Sequence, residues 1–375
     1  MGIKIAHCSD IHIGASVSSL ENKCYERRNE IKNSFSKIVK KCEIEKVQVL
    51  CVAGDLFDDT VVTQSDIEDV KNVCKKAPFK IVISPGNHDP FTANSPYNSD
   101  WPENVIIFKN NTLESIELPE INLRVWGAAF INRYETKSLL RDFDFLEDGF
   151  INLCVLHGDV LGTQKVYNPI TVEEIEKSKM DYIALGHIHK RSKILKSGET
   201  FYSYSGSPES LGFDESGEKG FYLGYIDKNF CDMKFEKISS RSYIITEIDI
   251  SDCDSEKEVK DAVLNFLSDK YGDDYFKNIY KIILIGGIKE NLYIDAKNLE
   301  ASLRECIFYC IIEDNTFEKI DVEKLKYRTD FKSLFIKDIL NRIENEPDEN
   351  EAQLLRNALK LGVRAFESDV KYSEN

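Results

Sequence analysis

Residues 3–12 read Ile3-Lys4-Ile5-Ala6-His7-Cys8-Ser9-Asp10-Ile11-His12, a short apolar run that ends in two side chains able to bind a metal ion. Its length and composition are those of a buried strand, which places Asp10 and His12 just beyond a strand end. The same pairing of apolar run and polar tip recurs down the chain. An amphipathic segment over 21–45 leads to a strand at 47–53, a helical stretch at 65–76 and a strand at 79–84. Further strands are expected at 122–127, 151–156 and 182–185, and antiparallel β around 201–204 and 221–226. This alternation predicts a layered α/β domain over residues 1–240.

After residue 240 the pattern changes. A strand at 243–250, a helix at 256–269, a strand at 280–285, a helix at 296–304 and a strand at 307–312 give a β-α-β-α-β order. That order suits a small α/β cap domain over 241–320. Within 321–375, segments 331–343 and 352–366 read as amphipathic helices, separated by the acidic turn Glu346-Pro347-Asp348-Glu349. Their stripes Phe331, Leu334, Phe335, Ile339, Leu340 and Leu354, Leu355, Leu359, Val363 fall at helical spacing. Either they pack on the cap or they dock a partner.

Composition removes several classes. Hydrophobic residues are 42% and charged residues 30% of 375, the mixture of a globular protein in more than one domain. No apolar run approaches the roughly 20 residues of a membrane span, so no membrane association is expected. The start goes directly into strand sequence without a signal-like apolar core. The 10 cysteines form no CxxC pair and suit a reducing cytoplasm. The net charge of −16 argues against binding nucleic acid by bulk electrostatics. Bound divalent cations or a partner subunit can reverse that field locally.

Five short motifs follow expected strand ends: Asp10-Ile11-His12, Gly54-Asp55-Leu56-Phe57-Asp58, Gly86-Asn87-His88-Asp89, His157-Gly158-Asp159 and Gly186-His187-Ile188-His189. They contain five of the 6 histidines. Ligands of open α/β sheets bind beyond the carboxyl ends of strands, where such loops converge. Asp, His and Asn donors suit Mn²⁺, Fe²⁺ or Zn²⁺ rather than a thiolate site. Asp10 and His12, and again His187 and His189, are expected on one side of an extended backbone. The adjacent glycines are expected to allow sharp turns. Singly, Asp58, Asp159 and the Asn87-His88-Asp89 run read as turn residues, and His7 as a structural neighbour. In order, they read as a two-metal hydrolytic site, with ions about 3.5–4 Å apart sharing a bridging Asp.

The ordered series resembles the calcineurin-like metallophosphoesterase superfamily. The opening His7-Cys8-Ser9-Asp10-Ile11-His12-Ile13-Gly14 resembles its SbcD-type DNA-repair exonuclease branch. Ser205-Gly206-Ser207-Pro208-Glu209 with Lys219-Gly220-Phe221 is similar to the element that closes the nuclease domain there. The resemblance covers residues 1–240; the later part resembles SbcD and YhaO-type proteins in layout only. It implies a layered β-sandwich flanked by helices and two divalent ions per chain, Mn²⁺ first, Fe²⁺ or Zn²⁺ as alternatives. Carried over residue by residue, Asp10, His12, Asp55 and His189 would bind one ion. Asp55 would bridge to a second, held also by Asn87, His157 and His187. His88 would contact the scissile phosphate and protonate the leaving oxygen, its ring oriented by Asp89. Archaeal and eukaryotic repair nucleases carry His where this chain has Asp58, whereas the bacterial branch often has Asp.

The expected function is that of a DNA exonuclease and endonuclease subunit acting with an SMC-like ATPase of the SbcC/YhaN type. Lys190, Arg191 and Lys193 follow the last two histidines and are candidate phosphate contacts, or else a solvated charge cluster. Arg133, Lys137 and Arg141 form a second candidate patch. By the same resemblance the chain would pair as a homodimer through the helices at 21–45 or 65–76. The alternative is an enzyme for a small-molecule or nucleotide phosphodiester. A scaffold with a vestigial metal site is disfavoured, because every expected ligand is present.

Overall fold

The computed structural model describes residues 2–58, 60–141, 143, 145, 149–160, 162, 165–289, 292–319 and 328–367. The chain divides into two compact units, Met1–Tyr243 and Ile244–Asn375. Residue 320 of the expected cap, and 321–327 and 368–375 of the expected carboxy-terminal segment, lie outside the described residues.

In the first unit β1 (Ile3–Cys8), β2 (Val49–Val52), β3 (Lys80–Ile83) and β4 (Val105–Ile107) run parallel. On the other side of β1, the hairpin β13 (Gly220–Asp227) and β14 (Phe230–Lys237) adds two antiparallel strands. A second six-stranded sheet places β11 (Leu195–Ser197), β12 (Thr200–Tyr204), β10 (Tyr182–Gly186), β7 (Ile151–His157), β6 (Leu123–Gly127) and β5 (Glu114–Leu118) side by side. Here β12 pairs antiparallel with β11 but parallel with β10, so the antiparallel expectation for 201–204 holds on one edge only.

The period-two rule explains why these strands read as continuous apolar runs. In β1, Ile3 and Ile5 point into a core between the two sheets, while Ala6 and Cys8 point to the opposite face. In β2, Val49 and Cys51 share the first core and Leu50 and Val52 the second. The inter-sheet core is completed by Leu123, Val125, Leu153, Val155 and Ala184 from the second sheet. The outer face of the first sheet is covered by α1 (Cys24–Ile44) and α2 (Gln64–Lys76), through Phe35, Ile38, Cys42, Ile67, Val70 and Cys74. The outer face of the second packs Leu156, Ile183 and Leu185 against Ile175 of α3 (Val172–Ser178) and Met180. Both short helices start on capping boxes, Thr63 with Asp66 and Thr171 with Glu174, which satisfy the first free N–H groups. A small parallel pair, β8 (Asp159–Val160) and β9 (Pro169–Ile170), follows β7.

The second unit contains β15 (Tyr243–Asp249), α4 (Glu256–Tyr271), β16 (Ile279–Ile285), α5 (Ala296–Leu303) and β18 (Tyr309–Asp314), with a minor parallel pair β17 (Gly287–Ile288) and β19 (Phe317–Glu318). The sheet order is β15-β16-β18. Val259, Val263, Leu267, Leu299 and Leu303 from the two helices bury against Tyr280, Ile282 and Leu284. Helices α6 (Phe331–Asn345) and α7 (Glu349–Glu367) pack on each other through Ile336, Ile339, Leu359 and Val363. Phe331, Leu334, Leu354 and Leu361 remain exposed. Among the described residues no helix is long and apolar enough to cross a membrane.

Candidate metal centre

All five motifs lie where strands of the first unit end: Asp10 follows β1, Asp55 follows β2, Asn87 follows β3, His157 closes β7, and His187 and His189 follow β10. The loops after β1 and β2 are laced together by main-chain bonds. Asp10 N donates to Gly54 O (3.0 Å), Ile11 N and His12 N to Asp55 O (2.8 and 3.0 Å), and Ile13 N to Leu56 O (2.9 Å).

That lacing forces a local conformation different from the extended one expected. Asp10 (φ 52°), His12 (φ 54°), Asp55 (φ 51°) and His187 (φ 101°) all have positive φ, a region that side-chain-bearing residues rarely occupy. The side chains converge because the backbone reverses at each of them, not because alternate residues of a strand share a face. The glycines divide into two roles. Gly54 has φ 86° and needs it. Gly86 and Gly186 are there for close approach: a Cβ on Gly186 would lie 1.8 Å from Ala53 O, and one on Gly86 2.2 Å from Asp55 Oδ1. Because the first clash is with main chain, Gly186→Ala is expected to destabilise the protein by about 3 kcal/mol, read as a lowered urea midpoint with unchanged slope. An unchanged midpoint would remove the close-packing argument.

Seven side chains meet here. His12 Nε2 lies 3.0 Å from His189 Nε2 and 3.8 Å from Asp55 Oδ2, and His189 Nε2 is 4.0 Å from Asp10 Oδ1. His157 Nε2 lies 3.3 Å from Asp55 Oδ2 and 2.9 Å from Asn87 Oδ1, which is 3.2 Å from His187 Nδ1. Adjacent donors on an ion with bonds of about 2.1 Å stand about 3 Å apart, and opposite donors about 4.2 Å. The observed spacings fall in that interval, with Asp55 in both sets. The chemistry of the donors fits as well: three oxygen-bearing side chains and four imidazoles suit a hard or borderline divalent ion.

Electrostatics points the same way. Burial alone would lower the His157 imidazole, but Asp55 and its hydrogen bond outweigh it and raise the ring to about 9. Burial would raise Asp55, yet His157, His12 and His88 hold its carboxyl below the usual range. A buried pocket that pulls a proton onto an imidazole in this way is one that attracts positive charge.

A sequence model of the calcineurin-like phosphoesterases matches residues 3–191, which covers all five motifs. The chain belongs to the calcineurin-like phosphoesterase family. Family members are metal-dependent phosphoester hydrolases that use divalent ions. A metallophosphoesterase of Bacillus subtilis (strain 168), YhaO, is 25% identical over 262 residues, 66% of this chain. The aligned region is 63% of that relative's length, so the likeness extends over less than two thirds of it.

In this phosphoesterase the surroundings decide which nitrogen each histidine can offer. His157 Nδ1–H donates to Ala53 O (3.0 Å), so Nε2 is the nitrogen turned toward Asp55 and Asn87 and is the one it would offer an ion. Asp10 is steadied by Ser9 Oγ and by the His187 N–H (2.9 Å), and Ser9 in turn meets Ser205 Oγ at 2.8 Å. His7 keeps the structural role expected: buried between Tyr182 Oη (3.0 Å) and Leu185 O (3.1 Å), it is lowered to about 4 by burial.

One site assignment is corrected. Asp89 does not orient the His88 ring. Its carboxylate accepts from Gly86 N (2.7 Å), Asp55 N (3.2 Å), Phe57 N (3.1 Å) and Tyr97 Oη, so it organises the loops that carry Asp55 and Asn87. Burial, then the nearby Asp55, lifts it to about 6. The His88 ring instead lies edge-on to His12, centroids 4.9 Å apart, and its nitrogen shares a 4.8 Å cluster with His12 and Asp58. Arg191 is exposed; its guanidinium pairs with Glu218 at the surface (3.0 Å) and stacks 4.1 Å from the Phe235 ring centroid. Lys190 and Lys193 are exposed, as are Arg133, Lys137 and Arg141.

Sequence reasoning missed Glu215, whose Oε1 lies 2.6 Å from His189 Nδ1. It also missed the aromatic row at the other end of the centre, where Tyr167 leans on His187 (centroids 4.8 Å) and exposed Tyr134 leans on Tyr167 (5.7 Å).

Proposed function

We propose that this phosphoesterase cleaves phosphodiester bonds of DNA, as the nuclease subunit of a complex with an SMC-like ATPase. The observation that carries the substrate class is the row Tyr134–Tyr167–His187, which runs from solvent to the metal centre. Rings stacked beside a phosphoester site offer a nucleotide base a flat apolar face, a contact indifferent to base identity. Phosphate binding then falls to the ions and His88 rather than to a basic surface, which accommodates the net charge of −16.

Asp10, His12, Asp55 and His189 would hold one divalent ion, and Asp55, Asn87, His157 and His187 the other, with Mn²⁺ the first candidate and Fe²⁺ or Zn²⁺ the alternatives. Bound there, the ions supply Lewis-acid charge beside the phosphorus. His88 would donate a proton to the departing oxygen. Asp89 and Ser9 keep the carboxylates of Asp55 and Asp10 in place.

The exposed Phe331, Leu334, Leu354 and Leu361 on α6 and α7 are the face offered to the ATPase. Tyr25 and Ile44, exposed on α1, are the corresponding candidates for homodimer contact.

A small-molecule or nucleotide phosphodiester is the second reading, favoured by the net charge of −16. One assay separates them. With Mn²⁺, the protein is expected to shorten an end-labelled duplex, and short DNA is expected to compete with hydrolysis of a chromogenic diester. Chromogenic turnover that DNA does not inhibit, with no shortening even when the ATPase is added, would move the assignment to a small diester.

A further inference from the structure

His189 is held differently from the other three histidines of the centre. Its Nδ1 lies 2.6 Å from Glu215 Oε1, and a carboxylate there can only accept, so Nδ1 carries a proton and Nε2 is the nitrogen turned toward His12. Glu215 is itself fixed. Its Oε2 accepts from Lys219 Nζ (3.1 Å), Ser207 Oγ (3.2 Å) and Leu211 N (3.2 Å). Lys219 is only 4% exposed, and its ammonium also donates to His189 O (2.8 Å) and Ser207 Oγ (2.9 Å). One buried lysine thus holds both the main chain of His189 and the carboxylate that grips its ring. The buried Lys219 ammonium at 3.1 Å supplies the counter-charge of the Glu215 carboxylate.

The backing of the other rings is weaker or neutral. His157 donates to a main-chain carbonyl, and Nδ1 of His187 faces Asn87. Among the described residues, none of His12, His157 and His187 meets an outer carboxylate on the nitrogen turned away from the centre.

We propose that Glu215 is a positioning residue for His189 that makes the Asp10–His12–Asp55–His189 position the tighter of the two metal sites. An ionised acceptor on the far nitrogen makes an imidazole a stronger donor and removes its rotational freedom; losing such a partner typically costs 10–100-fold in metal affinity. The loop of Ser205–Lys219, which follows the last motif, is then part of the metal centre. This inference rests on the two-ion reading of the site.

The test is a Mn²⁺ titration of the metal-stripped full chain by calorimetry, with bound metal counted after equilibrium dialysis. Wild type is expected to take up two ions in two steps. Glu215→Gln, similar in shape but uncharged, is expected to weaken the tighter step about 10–100-fold and leave the other within about threefold. Ser207→Ala, which removes one donor to Glu215 and only a long bond to His189 O (3.4 Å) while leaving the His189 ring alone, is expected to weaken the same step by less. It also serves if the Gln variant does not fold. A role confined to folding would lower the melting temperature of the stripped variants while both affinities stayed at wild-type values, and that outcome overturns the proposal. So does equal weakening of both steps. A wild type that binds no Mn²⁺ removes the two-ion reading itself, and this inference with it.

Discussion

Asp55→Asn is expected to leave a folded protein that holds fewer than one divalent ion per chain and has lost about 10³-fold or more in kcat/KM. Asp55 is assigned to both donor sets, 3.8 Å from His12 Nε2 and 3.3 Å from His157 Nε2 through the same oxygen. Neutralising it removes a shared negative charge from a buried site, and several kcal/mol of transition-state stabilisation are at stake. At about 1.4 kcal/mol per decade, ~4 kcal/mol is that thousandfold loss. Asn is the informative replacement, because at φ 51° it tolerates the left-handed backbone where Ala would add strain of its own. Its amide oxygen can still accept from the His88 N–H, which Asp55 Oδ1 does at 2.9 Å. Metal analysis and steady-state kinetics on the same preparation decide the matter. Two ions retained with activity within tenfold of wild type would show that Asp55 does not bridge.

The fold was largely readable because both sheets are buried on both faces. Ile3, Ile5, Val49 and Leu50 then announce strands without any need for alternation. The segments overlooked lack that signal: β4 is three residues long, and β14 carries Asp232, Lys234, Glu236 and Lys237 on an edge. The donor set was readable for another reason. Histidines are scarce in this chain, and five of the 6 stand just past apolar runs. What the sequence hid was the way each side chain is held. Asp89 follows His88 in the chain, and adjacency suggested that one carboxylate serves its neighbour. In the folded loop it turns back to three N–H groups instead. Glu215 gave no signal, since it is 26 residues from His189 in a polar loop and reaches it only when β13 closes against β1.

The positive-φ ligands connect the sandwich to its chemistry. Each such residue costs on the order of 1 kcal/mol, and three of the four lie in the loops laced by Asp10 N, Ile11 N, His12 N and Ile13 N. The surrounding core over-determines this conformation, so the donors are held near their working spacing by the fold. Bound ions then need not organise the loops.

His88→Ala separates proton donation from metal binding. The ring lies beside His12 and Asp58, in ligand-spaced company, so the variant is read for metal content as well as rate. If it acts as general acid, the variant keeps its ions and loses 10²–10⁴-fold in kcat. The loss must then depend on the leaving group. An alkoxide such as a sugar hydroxyl needs the proton as the bond to phosphorus breaks, whereas a nitrophenolate is stable without it. The variant should therefore fall by the full factor on a DNA diester and by about tenfold or less on an activated aryl ester. If His88 instead holds an ion, metal content falls and both substrates suffer alike. Equal losses on the two substrates would end the general-acid assignment, whatever the metal content.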